Sequence, residues 1–362
     1  MAEEDFSISR QPLDMKVRIH RQKFDKRDFC RFVLGADIGG THTNLAVAGA
    51  KDGEAALIFS THFLSQELDS IIPALRATLD LARERYGIEV EQGCAGIAGP
   101  VVEAGRARPT NVAWEVDGEE ATRETGMEEL ILLNDFQIIG YGIQSIQDED
   151  LFPARGGQPE PGQTRAVLGA GTGLGKAVLV FDGQSYRPLS SEGGHGDFPI
   201  HDRFDLELAE YVRGGRETPA SYEDLLSGRG IVRIYQFLKE KRGATEYSSR
   251  IEEAGDRAAA ISGHRECDPL SRETFRIYAR YYGRCAKNFV LDAMCTGGLY
   301  IAGGIASRNR EIFKSPEFQG EFLKAERQRH ILERVPVNVI VNYDVSLHGA
   351  CNAAVLLGKV RC

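Results

Sequence analysis

From residue 32 onward, short apolar runs alternate with glycine-rich turns. Phe32–Ile38, Asn44–Ala50 and Ala55–Phe63 have the length and apolar content of strands bounded by turn residues. Leu68, Ile72, Leu75 and Leu79 then recur every three or four positions, which gathers them on one face of a helix. Gly93–Ile97 and Leu130–Leu133 are further strand candidates between helical patterns, the order expected of an α/β fold. The pattern restarts at Arg165–Leu168, passes a glycine turn over Gly169–Gly175 and resumes at Ala177–Phe181. This repeats the strand, glycine turn, strand order of residues 32–50 and predicts two related halves. Helical spacing fills the chain after residue 203, with one long helix from about Arg272 to Met294. Leu299–Ala302 and Val335–Val341 complete the second sheet, and Leu347–Leu357 reads as a last helix. The Pro- and Gly-rich stretch Pro153–Gly162 reads as a linker. Residues 1–30 lack sustained periodicity and read as an extension ahead of the fold.

A length of 362 residues exceeds what one hydrophobic core usually serves and predicts two domains. A formal net charge of -9 argues against a nucleic-acid partner, since phosphate backbones are bound by clustered Lys and Arg. No apolar run approaches the roughly 20 residues of a membrane span, and the start of the chain has no apolar core of a secretory signal. A cytoplasmic location is therefore expected. The seven cysteines are scattered without a C-x-x-C pair, which predicts reduced thiols and neither disulfides nor a structural zinc.

Three turns could carry chemistry: Asp37-Ile38-Gly39-Gly40-Thr41, Gly169-Ala170-Gly171-Thr172-Gly173-Leu174-Gly175 and Ala302-Gly303-Gly304. Glycine after a strand lets backbone N–H groups crowd around an anion, because no Cβ blocks the approach. None is a P-loop or a dinucleotide fingerprint, for no Gly-Lys-Ser/Thr follows and the acidic partner is absent. Asp37, at its strand end, is a candidate to hold Mg²⁺, directly or through water, or else a turn-capping carboxylate. Asn134-Asp135 ends an apolar strand, so Asp135 is either a general base or a helix N-cap. Glu192-Gly193-Gly194-His195-Gly196-Asp197 has neither helical nor strand periodicity and suits hydrogen bonding to a polyol. Asn111, beside the only tryptophan Trp114, and Glu223, near Ser227-Gly228, are further polar candidates, and the turn Gly96-Ile97-Ala98-Gly99-Pro100 could wall a sugar.

Together these motifs, in this order from residue 32 to the C-terminus, resemble the bacterial-type glucokinases of the hexokinase, actin and chaperone ATPase superfamily. The resemblance implies a two-domain actin-like ATPase (ribonuclease H-like) sugar-kinase fold with a mixed sheet in each domain. Its small domain would comprise residues 31–144 plus 345–362 and its large domain 145–344, with the active site in the cleft between them. It implies transfer of the ATP γ-phosphate to the 6-hydroxyl of glucose, with Asp135 as base. Asn111, Asn134, Glu192, His195 and Glu223 would hold the sugar. Asp37, Gly39, Gly40 and Thr41, with Gly171, Thr172 and Gly173, would hold phosphates and Mg²⁺, and Gly303-Gly304 would lie under adenosine. A homodimer without zinc is expected, acting in carbohydrate metabolism. Two alternatives stand beside it: a kinase for fructose, mannose or an N-acetylated sugar, and a sugar-sensing regulator on the same fold. One departure is plain. The family's first loop commonly continues Thr-Asn-x-Arg, whereas here His42, Thr43 and Asn44 follow Thr41, leaving His42 as the candidate substitute donor.

Overall fold

The computed structural model describes residues 14–359 except 100, 103, 104 and 111. The chain divides into two compact units: residues up to Ser145 together with Ser346 onward, and Ile146–Val345.

The first unit is built on a six-stranded sheet. Its strands are β1 (Lys16–Ile19), β2 (Arg31–Ile38), β3 (His42–Lys51), β4 (Glu54–Leu64), β5 (Gln92–Ile97) and, after a three-stranded flap of β6 (Val101–Val102), β7 (Arg106–Ala107) and β8 (Val116–Asp117), β9 (Glu129–Asn134). They lie in the order β1-β4-β3-β2-β5-β9. The hairpin strands pair antiparallel, while β2, β5 and β9 run parallel. Strand alternation sorts the β2 side chains: Leu34, Ala36 and Ile38 pack on the helix Ile72–Tyr86, and Val33 packs with Ile138, Leu347 and Ala350 from two helices on the other face. Asp37 therefore faces the helices Asp135–Gly142 and Val345–Leu357.

The second unit repeats this plan. Its strands are β10 (Leu151–Arg155), β11 (Arg165–Ala170), β12 (Leu174–Phe181), β13 (Tyr186–Ser191), β14 (Leu299–Ala302) and β15 (Val337–Ile340), ordered β10-β15-β14-β11-β12-β13. The run β13-β12-β11-β14-β15 has the same order and directions as β4-β3-β2-β5-β9, so the two halves read from the repeated glycine turns are related in topology. The long helix begins at Pro269, not near Arg272, because Asp268 caps it and proline fits its first turn.

Three sequence expectations change. Residues 16–29 are woven into the first unit: β1 pairs with β4, and Phe24 and Phe29 join Phe32 and Tyr86 in an aromatic cluster. Their short, charged pattern hides this because β1 is an exposed edge strand. Pro153, read as linker, lies in β10. Proline is tolerated there because β10 is an edge strand, and the register shifts between Pro153 and Arg155. Cys94, Cys267, Cys285, Cys295 and Cys351 are free as expected, but Cys30 is disulfide-bonded, a pairing that spacing does not encode. Among the described residues no helix is long and apolar enough to cross a membrane.

Candidate functional site

In the first unit, Ile38, Ile97 and Asn134 stand in register across the parallel strands, so the turn after Asp37 and the side chain of Asp135 emerge at one carboxyl edge. This edge is where open α/β sheets bind ligands. The turn itself is tight, with the Gly39 amide donating to the His42 carbonyl at 2.9 Å. Residues that sequence reasoning passed over hold it from behind. Ser65 Oγ donates to Gly39 O at 2.7 Å and its amide to Thr41 O at 3.0 Å, while Gln66 Nε2 donates to Gly40 O at 3.0 Å. Trp114 Nε1 in turn donates to Ser65 O at 3.2 Å, which ties the tryptophan to the turn. Nothing in the local pattern of Ser65-Gln66 announces this, since it depends on β4 ending beside the turn.

Asp37 receives a hydrogen bond from Ser346 Oγ at 2.6 Å. Burial pushes its carboxyl above the ordinary carboxylate value, and the Ser346 hydroxyl only partly offsets that. A buried carboxylate of this kind gains from a nearby cation. The capping ambiguity at Asp135 resolves: Asn134 is the N-cap, accepting from the Phe136 amide at 2.9 Å and completing a capping box with Gln137. Asp135 is the first residue of its helix and half-buried, and its Oδ1 also accepts from the Phe136 amide at 3.0 Å. Asn134 Nδ2 reaches the Gly99 carbonyl at 3.4 Å. His42 is exposed at the start of β3, and Asn44 bonds His62 Nδ1 at 2.9 Å. Asn111 lies outside the described residues.

In the second unit, Gly169 pairs with Ala302, so the Gly171–Gly173 turn and Gly303-Gly304 leave the sheet at the same edge. Gly303 is held at φ 95°, and a Cβ there would stand 2.7 Å from the Ala170 carbonyl, so only glycine fits. The Gly228 amide donates to Gly171 O at 2.9 Å, bringing a helix start against the turn. Glu223 accepts from the Leu174 amide at 3.0 Å and pairs with Arg229 at 3.1 Å. The loop after β13 packs directly on this backbone, since a Cβ on Gly194 would lie 1.9 Å from Leu174 O. Glu192 and His195 project from it, 71% and 63% exposed, with 3.7 Å between their Oε2 and Nε2 atoms. Glu192, His195, Glu223, Gly171, Thr172, Gly173, Gly303 and Gly304 therefore gather at one edge of the second sheet, and Asp37, Gly39, Gly40, Thr41, Asn134 and Asp135 at one edge of the first. Among the described residues no three His, Cys, Asp or Glu side chains form a metal cage.

A duplicated three-plus-two strand sheet with glycine turns at its carboxyl edges is the architecture of sugar phosphotransferases of the actin-like ATPase fold. Known proteins agree. The Glucokinase family profile matches residues 34–356, and the chain belongs to that family. It is 34% identical to the glucokinase of Nostoc punctiforme over 342 residues, covering 90% of this chain and 99% of the relative, and 32% identical to that of Synechocystis. Among solved structures, a glucokinase from an Antarctic psychrotroph superposes with a TM-score of 0.76 at 28% identity, covering 89% of this chain and 98% of that one. The glucose complex of the Balamuthia mandrillaris glucokinase superposes with a TM-score of 0.77 at 22% identity over 90% of this chain and 93% of that one, a likeness of fold.

Proposed function

We propose that the chain transfers the γ-phosphoryl group of ATP to the 6-hydroxyl of glucose. The observation that carries this reading is Asp135. Its carboxylate stands at the carboxyl edge of three parallel strands, in line with the Asp37 turn, while its neighbour Asn134 does the capping. A carboxylate so placed can take the proton of an attacking hydroxyl. The sequence around it belongs to a family whose curated members are named glucokinase.

On this reading Asn111, Asn134, Glu192, His195 and Glu223 bind sugar hydroxyls, and Asp135 takes the proton of the 6-hydroxyl. The turns Gly39–Thr41 and Gly171–Gly173 face the phosphates, each closed on itself by its first amide, Gly39 onto His42 O and Gly171 onto Gly173 O, and Gly303-Gly304 gives the nucleoside a flat backbone floor. Asp37 is the residue that fits Mg²⁺, because burial raises its carboxyl and a cation would favour the charged form. Bound there, Mg²⁺ would neutralise charge on the phosphates. Orientation does most of the remaining work, since phosphoryl transfer depends on alignment and charge stabilisation. A cytoplasmic homodimer acting in glycolysis goes with this assignment, supported by the family alone.

Asp135→Asn tests it, because the amide keeps the shape but takes no proton. Turnover measured by ADP release should fall by about 10²–10⁴-fold, while glucose affinity, read from Trp114 fluorescence, stays close to that of the wild type. Comparable turnover in the variant removes Asp135 from the role. A panel of hexoses in the same assay checks the substrate, and a clear preference for mannose, fructose or an N-acetylated sugar overturns glucose.

A further inference from the structure

Lys176 follows the second glycine turn on β12, on the strand face that also carries Leu174 and Val178. Alternation would place an apolar residue there, yet a lysine stands in the core with 6% of its surface exposed. Among the described residues no carboxylate forms an ion pair with it. Its Nζ lies 4.9 Å from the ring centre of Tyr222 and 5.1 Å from that of Phe289, and its charge partly offsets the rise that burial imposes on the Cys285 thiol. Burying an ammonium costs several kcal/mol unless it is well paired. Two aromatic faces return about 2 kcal/mol each when desolvated, and a thiol is a weak acceptor. A cation kept under these terms invites a reason beyond packing.

Its surroundings supply one. A Cβ on Gly193 would stand 3.3 Å from Lys176 Cδ and 3.5 Å from Nζ, so the ammonium lies directly against the backbone of the Glu192–His195 loop. Lys176 also pairs across strands with Ser191, whose Oγ accepts from the Gly193 amide at 3.1 Å. Tyr222 is held from the other side, its hydroxyl accepting from Asn288 Nδ2 at 2.7 Å and its amide donating to Gly196 O at 3.0 Å. The residues that the ammonium touches on these two segments, Gly193 and Tyr222, are the chain neighbours of Glu192 and Glu223. One buried cation thus stands between the Glu192 loop and the Glu223 segment.

We infer that Lys176 is a positioning residue for the sugar acceptor: its caged ammonium packs between the Gly193 backbone and the Tyr222 ring and so fixes Glu192 and Glu223 relative to one another. This rests on the reading above that those two carboxylates bind glucose. The lysine touches neither substrate. Its effect therefore falls on the sugar and not on the nucleotide.

The test uses the full chain with Lys176→Met, which keeps the stem in the aromatic slot and removes the charge. A misplacement near 1 Å costs on the order of 10²-fold, so KM for glucose should rise about 10-fold or more while KM for ATP stays within about two-fold. The rise in melting temperature on adding glucose should shrink in step, and that produced by ATP should not. Phe289→Leu, which removes one aromatic face and keeps an apolar filling, should give the same split at smaller amplitude and serves if the methionine variant does not fold. Lowered melting temperature with both KM values unchanged, or both KM values raised together, overturns the inference. Wild type that leaves glucose unphosphorylated sinks the assignment of function itself. Glucose turnover in the wild type without the split in either variant sinks only the role of Lys176.

Discussion

Gly349→Ala adds a single methyl group remote from any expected substrate contact and should nonetheless cripple turnover. Gly349 lies in the helix Val345–Leu357, where its backbone touches the helix Asp135–Gly142. A Cβ there would stand 1.7 Å from Ile138 O and 2.7 Å from Gly142 N, against 3.4 Å for ordinary contact. The two helices would have to part by roughly 1.7 Å, an overpacking that costs about 1–3 kcal/mol. Two parts of the site ride on them. Asp135 is the first residue of one, and Ser346, on the first turn of the other, makes the 2.6 Å bond to Asp37. Neither helix can retreat into the sheet, because Ile138 already fills the space over Gly96, where a Cβ would meet its Cδ1 at 2.1 Å. At about 2–4 °C per kcal/mol the melting temperature should fall by roughly 2–12 °C. Displacement of the base by 1 Å or more should lower kcat by about 10²-fold. Coupled ADP-release kinetics and calorimetry on the variant read both quantities. Gly320→Ala is the control: that helical glycine has nothing within 4 Å, so alanine should stabilise by about 0.5–1 kcal/mol and leave kcat alone. A Gly349→Ala protein with wild-type kcat and melting temperature would refute the claim that this crossing sets the site's geometry.

Ser346→Ala removes the hydroxyl that favours the ionised form of Asp37, whose carboxyl burial already pushes up, so the acid limb of the kcat/KM profile against pH should move to higher pH. An unmoved limb would show that Asp37 ionisation does not govern activity. Asp205 is a stability prediction: burial pushes its carboxyl up, but Arg284, Tyr281 and the His201 amide outweigh this and hold it below the ordinary value. A carboxyl lowered by folding adds stability above its unfolded value, near 3.8, that is lost as pH falls through the folded one. Asp205→Asn leaves the buried Arg284 with a broken partner, so it should cost about 3–5 kcal/mol near neutral pH, and the difference from wild type should narrow in urea titrations at acid pH. A constant difference across that range would mean that the ion pair contributes nothing that titrates.

What the sequence disclosed and what it withheld differ in physical range. Asp37, the glycine turns and the Asn134-Asp135 strand end were legible because each is a local event: an apolar run stops, a residue without a Cβ or with a short polar side chain follows, and the backbone must turn. The duplicated sheet was legible for the same reason, since β2-turn-β3 and β11-turn-β12 write the same short pattern twice. The supports are of another kind. Ser65 and Gln66 matter because the end of β4 lies beside a turn 26 residues earlier, and Ser346 because a helix 309 residues later presents its first turn to Asp37. Residues 16–29 were set aside because a charged, exposed edge strand buries too little to leave a periodic trace, although Phe24 and Phe29 do enter the core around Tyr86. Lys176 is the sharpest instance. In the chain it is a polar residue after a glycine turn, the place where a solvated side chain raises no question, and only burial turns it into one. A glycine turn can be replaced in thought by any other, but a core ammonium has to be accommodated by Tyr222, Phe289 and Cys285 from two helices that share no local pattern. On the function proposed above, those distant accommodations set where Glu192 and Glu223 point, so specificity would be written in the supports of the site as much as in the residues proposed to meet the sugar.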